Sequence, residues 1–134
     1  MRTITKTYRS NTYEYTLKIV FTDSLKKYLK KYFTKWGMFN EEVIDAAGVC
    51  LRHPSNIEEY VLIYNYNDLT DNCIQHEIQH LACFILEDRN IGLKGENDDY
   101  EPLCWLNGEL SEIVRKIIID NKIPIIASNY TYKK

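Results

Sequence analysis

The stretch Asn72-Cys73-Ile74-Gln75-His76-Glu77-Ile78-Gln79-His80-Leu81-Ala82-Cys83 constrains the fold more than any other part of this chain. Wound as a helix from Asp71 to Arg89, it lines up Ile74, Ile78, Leu81 and Ile85 in one apolar stripe. Ala82, Leu86, Cys83, Phe84 and Cys73 cover much of the remaining circumference. A helix that is apolar nearly all round is buried. Its polar exceptions cluster at Gln75, His76, Glu77, Gln79 and His80. Burying such groups without partners costs on the order of 1–3 kcal/mol each, so the cluster needs an explanation.

Spacing supplies one. Histidines four positions apart put both imidazoles on one helix face, about one turn apart. Two neutral imidazoles so placed can hold one zinc ion. Glu77, about 100° further round, can then reach a water on that ion and take its proton. The three fixed positions recur by chance in roughly 0.5% of chains this long, so the pattern alone proves little. The plainer alternative is two core histidines bonded to backbone carbonyls, with Glu77 at the surface. A metal and its water satisfy three of the polar groups at once, which favours the metal.

The chain has 134 residues, enough for a single domain over positions 1–134 with one core. Hydrophobic residues make up 45% and charged residues 27%, which fits a soluble globular protein. The formal net charge of −2 gives no electrostatic case for nucleic acid or a membrane surface. No apolar run reaches the length of a membrane span. The start, Met1-Arg2-Thr3-Ile4-Thr5-Lys6, lacks the apolar run of a secretion signal, so a cytoplasmic location is expected. Cys50, Cys73, Cys83 and Cys104 form no C-x-x-C pair and are expected to be free thiols filling the core.

Met1 to Asn11 reads as a polar arm or edge segment. Thr12 to Thr22 alternates, with Tyr13, Tyr15, Leu17, Ile19 and Phe21 on one side, as a half-buried strand does. Asp23 or Ser24 can cap a helix carrying Leu25, Tyr28, Leu29, Tyr32, Phe33 and Trp36 at helical spacing, with Gly37 at its stop. The lysines at 26, 27, 30, 31 and 35 read as its solvated face. Ala46–His53 and Tyr60–Tyr66 read as an antiparallel hairpin around Pro54-Ser55-Asn56, with His53 a surface residue at the turn. The His-Glu helix ends at Asn90 or Gly92. After a loop from Ile91 to Tyr100, Pro102 opens a last helix running to about Lys122. Its core stripe is Leu103, Leu106, Leu110, Ile113, Val114 and Ile117. A second stripe of small residues, Cys104, Gly108 and Ser111, is expected to face the His-Glu helix. Ile123 to Ala127 reads as extended, and Ser128 to Lys134 as a polar tail.

A catalytic zinc site usually has three protein ligands and one open position. His76 and His80 supply two. Glu101, 21 positions after His80 at the start of the last helix, is the preferred third. Its carboxylate would bring the local charge from +2 to +1. The rivals are Cys104, a softer ligand, and the loop acids Glu96, Asp98 and Asp99.

His76-Glu77-Ile78-Gln79-His80 followed after a loop by Glu101 resembles the gluzincins, the zincin clan whose third ligand is a glutamate on a second helix. The run Glu101-Pro102-Leu103-Cys104-Trp105-Leu106-Asn107-Gly108 also looks like small zincin-like proteins of phages and gut bacteria. The likeness covers about Asp71 to Arg115. It implies that His76, His80 and Glu101 bind zinc and that Glu77 is the general base. It also implies that an antiparallel edge strand, Tyr60 to Tyr66, binds extended peptide, as unpaired strand edges do. Thermolysin-type members carry Asn before the third ligand and Asp four positions after it, where this chain has Tyr100 and Trp105. The carboxylate that would orient a zinc-binding imidazole is thus absent from its usual place. The metzincin extension fails, because Cys83 and Leu86 stand where Gly and His are required.

The expected fold is α+β: a small zincin-like domain in which an antiparallel or mixed sheet packs on the buried His-Glu helix, beside a further C-terminal helix. The expected activity is zinc-dependent hydrolysis of peptide bonds in a peptide or protein substrate, with Tyr64, Tyr100 or Tyr130 as oxyanion donor. The alternative is a catalytically weak or inactive zincin-fold protein that binds or regulates a target. Oligomeric state leaves no trace in the sequence.

Overall fold

The two apolar periodicities of the sequence, two in the first half and 3.6 in the second, separate into a sheet and the helices laid against it. The computed structural model describes residues 3–38 and 46–127. The strands are β1 (Ile4–Ser10), β2 (Tyr15–Thr22), β3 (Gly48–Arg52) and β4 (Glu59–Asn65). The helices are α1 (Leu25–Lys35), α2 (Asp71–Asp88) and α3 (Glu101–Asp120). The α+β expectation holds, and the sheet is mixed. Its order is β1-β2-β4-β3, with β2 and β4 parallel and the other two pairs antiparallel. The polar tail from Ser128 and most of the connection before Ala46 lie outside the described residues. No helix among the described residues is long and apolar enough to cross a membrane.

Alternation decides which residues meet which helix. On one sheet face Tyr15, Leu17, Ile19, Phe21, Tyr60, Leu62 and Tyr64 form the larger core with α2 and α3. The stripe Ile74, Ile78, Leu81 and Ile85 is fully buried in that core, as its periodicity predicts. On the other face Val20, Leu51, Val61 and Ile63 pack on Leu25, Leu29 and Tyr32 of α1. Ile4–Ser10 is the edge segment expected of the opening residues, and one boundary moves: the chain reverses through a turn at 11–14, with Glu14 at φ 54°, before β2 begins.

The expected hairpin is present, Gly48–Arg52 against Glu59–Asn65, but the Tyr60 strand is not an edge. The crossover through α1 returns the chain parallel to β2, with Leu17 opposite Tyr60, so β4 is interior and β3 is the edge. The reason is visible in composition. Tyr60-Val61-Leu62-Ile63-Tyr64 is apolar on both faces, and all five are buried. An interior strand covered on two sides reads as a continuous apolar run.

Candidate metal centre

Helix α2 starts where Thr70 Oγ1 accepts a hydrogen bond from the Cys73 N–H, 3.1 Å long. Asn90 ends it in the left-handed region, at φ 57°. Between these ends the helix holds both imidazoles on its exposed side. His76 Nε2 and His80 Nε2 lie 3.1 Å apart, with the rings edge to face at 4.7 Å. Two nitrogens bound at about 2.05 Å to one tetrahedral zinc stand about 3.3 Å apart. The pair therefore fits two corners of a zinc site.

Glu77 points the other way round the helix and is 9% exposed, so the surface alternative for it is excluded. Its Oε1 is 3.9 Å from His76 Nε2. Burial pushes its carboxyl above the ordinary value. The two imidazoles and a hydrogen bond from the Cys50 backbone N–H pull the other way without cancelling the rise. That N–H belongs to the edge strand. The Ala47 carbonyl and the His53 N–H pair with β4. Residues of even number in β3 therefore turn their backbone groups to the free edge, which runs beside α2. Gly48 makes the approach possible: a Cβ there would come within 3.0 Å of Cys73 Sγ and of Tyr64 Cδ1, and 3.1 Å from Glu77 Cγ.

Helix α3 runs antiparallel beside α2, and of the three small residues expected between them only Ser111 faces it. Asn107 donates to Gln79 Oε1, Ser111 Oγ to Gln75 Oε1 at 3.1 Å, and Arg115 Nη1 to Asp71 Oδ1 at 2.7 Å. The facing row is therefore Asn107, Ser111 and Arg115. Polar residues on both helices bond one another there, which a search for small residues overlooks. Gly108 has nothing near its Cα substituent position, and Cys104 is exposed rather than core filler.

That rotation decides the position of Glu101. It lies on the open face of α3 with Cys104, Trp105, Gly108, Glu109 and Glu112, around a cavity of about 450 Å³. Its carboxylate has no hydrogen bond or ion pair among the described residues. No set of three His, Cys, Asp or Glu side chains able to hold a metal forms among the described residues. His76, Glu77 and His80 are brought together, and Glu101 does not join them. The loop rivals are exposed, and Asp99 Oδ1 is engaged by the Glu101 N–H at 3.1 Å.

Two other expectations are corrected. Tyr64 is fully buried and its hydroxyl donates to the Ile74 carbonyl at 2.9 Å, so it is no oxyanion donor. Tyr100 is exposed at the start of α3, and Tyr130 lies outside the described residues. His53 stands at the turn but half-buried: its ring sits 4.7 Å from Trp36, and its Nδ1 accepts from the N–H groups of Ser55 and Asn56. Sequence reasoning missed Arg52 and Phe84, which flank the histidines. Arg52 Cζ lies 4.9 Å over the Phe84 ring, and Phe84 stacks on His80 at 6.1 Å. Compared with protein-family models, curated proteins and solved structures, the chain matches none.

Proposed function

We propose that this chain is a small zincin-like zinc peptidase acting on a peptide or protein substrate. One observation carries the reading: two imidazole nitrogens converge on the open face of a helix beside a single buried carboxylate. His76 and His80 would hold the ion, and Glu101, which stands apart from them on α3 without a partner of its own among the described residues, would have to move in to serve as the third ligand. Zinc, when bound, would act as a Lewis acid on the carbonyl and make water acidic near pH 7, at a pKa of about 7. Glu77 is suited to the proton work. Its raised pKa makes it a better base than an exposed glutamate, and it stands beside the imidazoles. It would take one proton from water as the water oxygen attacks the peptide carbonyl carbon. It would return that proton to the amine nitrogen as the C–N bond breaks.

The free edge of β3 takes the place of the strand first expected to bind peptide. An extended substrate would lie along it beside Glu77. A second reading, a zincin-like binding or regulatory protein without turnover, is favoured by the lack of a third ligand beside the histidines among the described residues. Elemental analysis of purified protein tests the metal, with about one zinc per chain expected and none in His76→Ala. Glu77→Gln separates the two readings: retained zinc with peptide cleavage abolished supports the peptidase. A metal-loaded wild type that cleaves no peptide leaves the binding protein.

A further inference from the structure

Metal-binding histidines usually need a partner on the other ring nitrogen to fix the ring. Among the described residues no carboxylate bonds either Nδ1 of this pair, and both residues are exposed. Yet the two rings converge. A side chain on an open helix face samples several staggered rotamers unless something packs against it. For His80 that something is Phe84. Phe84, one turn further along α2, lies 6.1 Å from it with the ring planes 21° apart. The Arg52 guanidinium also lies over the Phe84 ring, 4.9 Å from its centroid.

Arg52 is itself held. Its Nε donates to Asp88 at 3.2 Å, its Nη2 to the same carboxylate at 2.5 Å, and its Nη1 to Glu87 at 3.3 Å. Asp88 also accepts from the Tyr60 hydroxyl of the interior strand. A continuous set of contacts therefore runs from β4 through Asp88, Arg52 and Phe84 to His80. It ties the imidazole to the edge strand proposed to bind substrate.

We propose that Phe84, clamped by Arg52, is the positioning residue that aims His80 at His76. It does by stacking what a carboxylate partner does elsewhere. The metal-binding half of this inference rests on the zinc reading above; the orienting half does not. A guanidinium and an imidazole both lying against the ring suit an aromatic side chain and not an aliphatic one. Phe84→Tyr should therefore keep the function and Phe84→Leu should lose it.

The test has two arms. In metal-free protein, NMR of the histidine side chains should show His80 in one χ1 rotamer, with ring protons displaced by the Phe84 ring current. Phe84→Leu should average the rotamers and remove the displacement, while Phe84→Tyr and an unchanged melting temperature exclude general unfolding. In the second arm, competition against a chromophoric chelator should show zinc affinity about tenfold weaker in Phe84→Leu and near wild type in Phe84→Tyr. A His80 ring already averaged in the wild type, or unmoved by Phe84→Leu, overturns the proposal. So does unchanged zinc affinity in a folded Phe84→Leu protein. If the first arm succeeds and the wild type binds no zinc, the zinc reading fails and the stacking role stands.

Discussion

At the scale of single residues, Gly48 and Glu77 depend on each other. Glu77 is buried because the edge strand passes close over α2, and the strand passes close because position 48 has no side chain. In Gly48→Ala the added methyl would press on Cys73 Sγ, Tyr64 Cδ1 and Glu77 Cγ at 3.0, 3.0 and 3.1 Å. Tyr64 cannot yield, being fully buried with its hydroxyl bonded to α2. The strand has to lift instead. Overpacking of this kind costs about 1–3 kcal/mol, and urea denaturation of Gly48→Ala should show that loss. Lifting the strand also draws the Cys50 N–H from Glu77, so peptide cleavage should fall further than stability alone explains.

At the scale of elements, the last turn of α2 is fastened to the sheet by charge. Burial works against the ionised form of Asp88, but hydrogen bonds from Arg52 and Tyr60 outweigh it and hold its carboxyl below the ordinary value. The folded state thus favours ionised Asp88 more than the unfolded chain does. That stability is present above the ordinary aspartate value of 3.8 and is lost as pH falls through the lower folded value. Asp88→Asn should cost about 1–2 kcal/mol near neutrality, less than a fully buried pair because Arg52 is partly solvated. The gap from wild type should narrow under acid titration of the melting temperature; a gap constant with pH would refute the linkage. This fastening was illegible in the sequence, since Arg52 and Asp88 lie far apart in the chain. The same limit explains what else was missed. Helix α2 and its Asn90 end were legible because local spacing and capping set them. The outward rotation of α3 was not, because a polar row on each helix finds its match only in three dimensions. Glu101 was chosen from its place at the start of α3, and linear spacing does not say how that helix is turned about its axis.

At the scale of the molecule, the sheet separates two cores that differ in their distance from the site. Leu25, Leu29 and Tyr32 of α1 fill the side away from the histidines, and Ile74, Ile78, Leu81 and Ile85 fill the side beneath them. The sheet is close-packed on both faces, so a cavity on one side is not felt on the other except through the strands themselves. Leu29→Ala and Ile78→Ala each remove a buried aliphatic side chain, 4% and 0% exposed, and each should cost about 2–5 kcal/mol. Their effects on the site should part company. A void under Ile78 lets α2 settle and turn, which moves both imidazoles relative to the β3 edge. A void under Leu29 leaves α2, which carries the imidazoles, where it is. Chelator competition under conditions where both variants are folded should therefore find weakened zinc affinity in Ile78→Ala and an affinity near wild type in Leu29→Ala. Equal losses in the two would mean that the sheet is no barrier, and that the site depends on global stability rather than on the helix beneath it.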